Sequence, residues 1–140
     1  MTDLAVLDSS VALKWVLPEK GRPQALLILD SFEAGRTHLI APRVFLEEVA
    51  SALAKRHRRK ELTDRQAREA FHFVEQRSPM MADPQKSASD ALSLSLRHGT
   101  SLWDALYLSL AIDRRCTLLT ADARFHRSVS RHYPFIELTA

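Results

Sequence analysis

Short apolar runs recur along this chain with helix-forming stretches between them, and that alternation leaves few folds open. Leu4–Leu7 is apolar throughout and ends at Asp8, as a central strand buried on both faces reads. His38–Ala41 repeats the pattern, Thr117–Ala121 delivers Asp122, and Phe135–Leu138 supplies a last strand after Pro134. Ser78–Pro84 reads either as a connection or as a short edge strand around Met80–Ala82. Helices are expected over Val11–Leu17, Pro23–Ala34, Val44–Arg58 and Ser87–Arg97, with Pro18, Gly35 and Gly99 as stop signals. Thr63 and Gln66 have the spacing of a capping box that opens a further helix to about Arg77. Strands alternating with helices call for an α/β domain built on a largely parallel sheet with right-handed crossovers.

The 140 residues fit one domain, residues 1–140, and 46% hydrophobic with 26% charged residues is a globular balance. No apolar run approaches the roughly 20 residues of a membrane span, so a cytoplasmic protein is the expectation. The single cysteine, Cys116, excludes an internal disulfide framework and a thiolate zinc cluster. A net charge of +3 and a pI near 9.4 lean mildly toward polyanionic partners.

Ser101–Ile112 is helical in composition, apolar on every side of the wheel, and carries one charge, Asp104. A carboxylate in such surroundings is costly unless a cation, a metal or several donors meet it. Asp104 caps its own helix on the simplest reading, and the case for more depends on whether other acids converge on it. In open parallel sheets the binding crevice lies beyond the carboxyl ends of the strands, near the point where strand order reverses. Asp8 and Asp122 occupy such ends. On the Val44–Arg58 helix, Glu48 lies at the margin of the stripe formed by Phe45, Val49, Ala52 and Leu53, whereas Glu47 faces away between Arg43 and Ser51. Asp8, Glu48, Asp104 and Asp122 together would repel one another strongly, and one or two hard divalent cations such as Mg²⁺ or Mn²⁺ are the natural remedy. Such a centre suits phosphodiester hydrolysis.

Other chemistries find less support. The six histidines show no metal-ligand spacing, Cys116 reads as a buried structural thiol, and three glycines form no phosphate-cradling loop. Ser9 and Ser10 can cap the helix after Asp8 or support its carboxylate. Trp15, Trp103, Tyr107 and Phe71 read as core, and Asp90 as a surface residue. Lys55–Lys60 concentrates positive charge at a helix C-terminus, where it meets the helix dipole or holds phosphates.

Four segments in order carry a family resemblance: Leu-Ala-Val-Leu-Asp-Ser-Ser, Pro-Arg-Val-Phe-Leu-Glu-Glu-Val-Ala-Ser-Ala-Leu, Ser-Leu-Trp-Asp-Ala-Leu-Tyr-Leu-Ser-Leu-Ala and Leu-Leu-Thr-Ala-Asp-Ala-Arg-Phe. The chain resembles the PIN-domain family, specifically the VapC-type toxin ribonucleases of type II toxin-antitoxin pairs. The resemblance implies a three-layer α/β/α fold and a Mg²⁺- or Mn²⁺-dependent endoribonuclease with Asp8, Glu48, Asp104 and Asp122 as its acids. It also implies supporting hydroxyls at Ser9 and Thr120, a homodimer, and inhibition by a small VapB-type antitoxin. Arg56, Arg58, Arg59 and Arg124 are the side chains expected to hold the RNA backbone. The competing expectation is a PIN-like module that binds RNA or a protein without cutting. A phosphoryl-accepting receiver is a weaker rival, because Asp8 lacks the paired acids and the lysine-bearing strand end of such a site.

Overall fold

A computed structural model describes residues 3–84 and 86–139. Its elements are β1 (Asp3–Leu7), α1 (Ser9–Val16), α2 (Arg22–Glu33), β2 (Thr37–Ala41), α3 (Phe45–Arg58), α4 (Asp64–Gln76), β3 (Met80–Met81), α5 (Ser87–His98), α6 (Leu102–Arg114), β4 (Thr117–Thr120), α7 (Ala123–Val129) and β5 (Ile136–Leu138). All five strands are parallel, in the order β3-β2-β1-β4-β5. The chain therefore builds outward from β1 in one direction, returns, and builds outward again beside it. Strand order reverses between β1 and β4, where Leu7 lies in register with Leu119. Right-handed crossovers then place α1–α4 on one face and α5–α7 on the other. The packing agrees, with α1 against α2, α3 and α4, and α5 against α6.

The apolar runs form the middle of the core. Val6, Leu7, Leu118, Ala41 and Leu39 are buried, with Trp15, Phe45 and Tyr107 the largest side chains sealed beneath the helices. Trp15 also satisfies its indole N–H, which donates to the Ala25 carbonyl at 2.9 Å. The capping box forms in full: Gln66 N–H donates to Thr63 Oγ1 at 3.1 Å and Thr63 N–H to Gln66 Oε1 at 2.9 Å. Thr63→Ala should therefore lower stability by about 1 kcal/mol in chemical denaturation. It should leave any activity at the opposite strand ends unchanged.

Two local expectations are corrected. Ser9 and Ser10 do not cap α1 from outside; they are its first residues, and Asp8 holds the N-cap position without a side-chain cap bond. The α6 helix is buried from Ala105 to Ala111, apart from partly buried Leu106, but not all round, since Leu102, Trp103 and Ile112 are exposed. Trp103 is thus not core. Because α6 feeds β4, its first turn lies at the carboxyl end of the sheet and extends past the strands that would have covered it.

Candidate functional site

Connectivity brings the acids together. Asp8 follows β1 directly, and Asp122 follows β4 by two residues. α3 starts just after β2 ends, which places Glu48 in its first turn at the same end of the sheet. Asp104 lies in the first turn of α6, where Ser101 Oγ accepts from the Asp104 N–H at 3.1 Å and caps the helix. The expectation that Asp104 caps its own helix is corrected by that bond, because Ser101 performs the role.

Asp8 is 4% exposed and is held from two directions. Its Oδ2 accepts from Ser10 Oγ at 2.5 Å and from Thr120 Oγ1 at 2.8 Å. Each hydroxyl in turn accepts a backbone N–H, Ser10 from Ala121 at 2.9 Å and Thr120 from Asp122 at 3.1 Å. Both hydroxyl protons are then committed to Asp8, so the 3.3 Å separation of Ser10 Oγ and Thr120 Oγ1 is a contact and not a third bond. The network ties the end of β1 to the end of β4 across the switch point. The two hydroxyls on Asp8 Oδ2 are those of Thr120 and Ser10, and Ser9 lies on the wall of the adjoining cleft.

Burial is the main cause that pushes the Asp8 carboxyl up; the two hydroxyls oppose it and the charge of Asp122 adds to it. Glu48 is pushed up to about 7, chiefly by burial and further by Asp8 and Asp104, with the Tyr107 hydroxyl pulling the other way. Asp104 is pushed up to about 6 by burial, then by Asp8 and Asp122. Each acid is thus within electrostatic reach of others in the set. Asp122 also caps α7, its Oδ1 accepting from the Phe125 N–H at 3.0 Å.

Buried Tyr107 joins the group from α6, one turn beyond Asp104. Its hydroxyl and Glu48 Oε1 are shielded from solvent and in neither case engaged in a well-formed hydrogen bond, although the pair is close enough for each to shift the other. Two adjacent unsatisfied polar atoms in a buried position mark a place that a ligand can complete. Among the described residues, no three acidic, histidine or cysteine side chains are close enough to grip one ion directly. The donor set still fits a hard cation: it is all oxygen, it includes the unpartnered Glu48 Oε1, and Mg²⁺ is commonly held through one or two carboxylates with waters completing its shell.

A cleft of about 930 Å³ opens beside these acids, lined by Ser9, Glu48, Ser51, Lys55, Trp103 and Asp122, with exposed Glu47 on its rim. Trp103, which the sequence reads as core, lines this cleft, and of the Lys55–Lys60 cluster it is Lys55 that does so. For Lys55 a signal existed, since it follows Glu48 by seven residues, two turns along one face of α3. A separate groove of about 510 Å³ between α3 and α4, lined by Leu53, His57, Arg58 and Phe71 among others, contains none of the four acids. Of the expected RNA-holding residues, Arg56 is drawn into ion pairs with Glu19 and, at 3.4 Å, Glu61. Arg58, Arg59 and Arg124 are exposed, and Asp90 is a surface residue as expected.

No curated protein matches the sequence. Several solved structures share its fold. A protein from Pyrobaculum aerophilum superposes with a TM-score of 0.68 at 17% identity, over 91% of this chain and 87% of its own. A toxin-antitoxin complex from Klebsiella pneumoniae gives 0.66 at 18% identity, over 97% and 98% of the two chains. VapC20 of Mycobacterium tuberculosis, described as a sarcin-ricin loop cleaving toxin, gives 0.66 at 14% identity over 89% and 95%. The PIN domain family model matches residues 5–129, a span that includes all four acids and both hydroxyls on Asp8. The chain belongs to the PIN domain family.

Proposed function

We propose that this protein is a metal-dependent endoribonuclease of the VapC toxin type, acting in the cytoplasm and restrained by a small VapB-type antitoxin. What supports the reading is that Asp8, Glu48, Asp104 and Asp122 lie within electrostatic reach of one another near the carboxyl end of the sheet, with Glu48 raised to about 7 and Asp104 to about 6. Acids so placed favour a divalent cation, Mg²⁺ or Mn²⁺, over mutual repulsion. When bound, such a cation supplies an activated water and charge stabilisation at the phosphate. The protein's own contribution is positional. Ser10 and Thr120 fix Asp8 Oδ2, Tyr107 stands against Glu48, and the α6 cap at Ser101 sets the direction of Asp104. Lys55 on the cleft wall offers positive charge to an RNA backbone, and exposed Arg58, Arg59 and Arg124 are further candidates elsewhere on the surface.

Partner assignments follow the same reading. The Klebsiella neighbour is a toxin-antitoxin complex, and the chain is proposed to pair likewise and to form a homodimer. The test is cleavage of a mixed structured-RNA pool in Mg²⁺ or Mn²⁺, then in EDTA, by wild type and Asp8→Asn. Cleavage should vanish in EDTA and fall at least about a hundred-fold in Asp8→Asn, whose circular dichroism stays native. Cleavage that survives either change refutes the assignment. RNA binding without cleavage under every condition favours the non-catalytic module.

A further inference from the structure

Tyr107 carries a hydroxyl that its packing does not need. The side chain is fully buried on α6, one turn beyond Asp104 and on the same face of that helix. A buried hydroxyl without a partner is costly, and phenylalanine would fill the same space without that cost. Among the described residues, five buried side-chain polar atoms lack a hydrogen-bond partner, and the Tyr107 hydroxyl and Glu48 Oε1 are two of them. They are also neighbours. Glu48 and Ser9 are the polar side chains close enough to act on the hydroxyl, and Asp8 adds its charge. Glu48 lines the cleft and is only partly buried, yet its Oε1 is sealed from solvent. Its carboxyl group therefore spans the boundary between the core and the cleft.

Tyr107 is not placed to be an anionic ligand in its own right. Burial, then the charges of Asp8 and Glu48, push its hydroxyl above the ordinary tyrosine range, so it keeps its proton and can offer it. A carboxylate oxygen accepts in two directions. Glu48 Oε1 can thus take the Tyr107 proton and still leave a position for a cation.

We infer that Tyr107 is a positioning residue of the cation site: its hydroxyl donates to the Glu48 carboxylate once a cation is bound, and so fixes the direction in which that carboxylate points. The inference rests on the nuclease reading and deepens it, by adding a side chain that holds the site in shape without touching the ion. Partners that orient a ligating group in this way typically contribute about 10- to 100-fold in metal affinity.

Positioning and packing predict opposite results for Tyr107→Phe. A hydroxyl bonded for stability would be missed by the metal-free protein and not by the cation. A hydroxyl that waits for the cation would be missed only when the cation binds. Full-length wild type, Tyr107→Phe, Glu48→Ala and the double variant are stripped of metal with EDTA, freed of the chelator, melted at pH 7.5, and titrated with Mn²⁺ while electron paramagnetic resonance reads the free ion. Metal-free Tyr107→Phe should melt at or above the wild-type temperature, and its Kd for Mn²⁺ should rise about 10- to 100-fold. In Glu48→Ala, where Asp8, Asp104 and Asp122 still offer carboxylates, adding Tyr107→Phe should weaken Mn²⁺ no further, as befits two residues that act through one contact.

Unchanged Mn²⁺ affinity in Tyr107→Phe overturns the role and leaves the cation site standing. A loss that persists at full size in the Glu48→Ala background overturns it too, because Tyr107 would then act on another group. Metal-free Tyr107→Phe that melts below wild type refutes a bond that waits for the cation. Wild type that binds no Mn²⁺ overturns the site and the role together, which tells that failure apart from the other three.

Discussion

Adding Mg²⁺ to the metal-free protein at pH 8 is expected to raise its melting temperature by about 10 °C, and to raise it by less than about 2 °C at pH 5. A ligand at a hundred times its Kd stabilises by about 2.7 kcal/mol. For a chain of this size each kcal/mol is about 3–4 °C. The pH contrast comes from the acids. Glu48 and Asp104 titrate at about 7 and about 6 in the folded protein, above the 4.5 and 3.8 of the free side chains. Between about pH 4 and pH 7 the folded state therefore holds more protons than the unfolded one, and stability must fall as pH rises through that window. The loss is on the order of 1–2 kcal/mol once screening at these partly exposed carboxylates is allowed for. A cation replaces those protons at high pH and must compete with them at low pH. Melting curves across pH 4–8, with and without Mg²⁺, measure both effects. A metal-free protein whose stability climbs over the same window would contradict the convergence of the acids.

Thr120→Val is expected to lower stability by about 2–4 kcal/mol, the largest effect of any substitution at the site that leaves all four acids in place. Thr120 is fully buried, donates to Asp8 Oδ2 at 2.8 Å and accepts from the Asp122 N–H at 3.1 Å. Valine keeps the shape and removes both bonds. A hydrogen bond to a charged group contributes about 1.5–3 kcal/mol, and a buried N–H left without a partner costs about 1–3 kcal/mol. Ser10 remains, so Asp8 keeps one donor and the penalty stays below the sum. The carboxyl of Asp8 should rise further, so cation binding should weaken and the pH dependence of cleavage should move to higher pH. Thr120→Ser should restore most of both. Urea denaturation within 0.5 kcal/mol of wild type for Thr120→Val would remove the β1–β4 clamp from the account.

Much of this architecture is legible in the sequence because its determinants are local. Asp8 and Asp122 announce themselves at the ends of apolar runs, Glu48 by its helical phase, and Thr63 with Gln66 by capping chemistry. The strand order is not local. It depends on which runs pair across more than a hundred residues, as Leu7 does with Leu119. Trp103 was misread for a related reason: a helical wheel shows which side of α6 is apolar and cannot show that its first turn extends beyond the sheet. The ion pair that occupies Arg56 is not local either, since its partner Glu19 lies 37 residues away in the loop between α1 and α2. Ser9 and Ser10 differ by one position, and only the start of α1 at Ser9 decides which hydroxyl reaches Asp8. Tyr107 looked like core and is core, yet its hydroxyl stands against Glu48, a double role that apolar periodicity does not reveal.

The central claim is that Asp8, Glu48, Asp104 and Asp122 make one cation site. Mn²⁺ titrated into full-length protein at pH 7.5, with free ion read by electron paramagnetic resonance, tests it most directly. Wild type should show saturable binding that weakens as pH falls through 7 to 6 and is lost in Asp8→Asn with the fold intact. Binding that is absent from the wild type, or unchanged by Asp8→Asn, would contradict it.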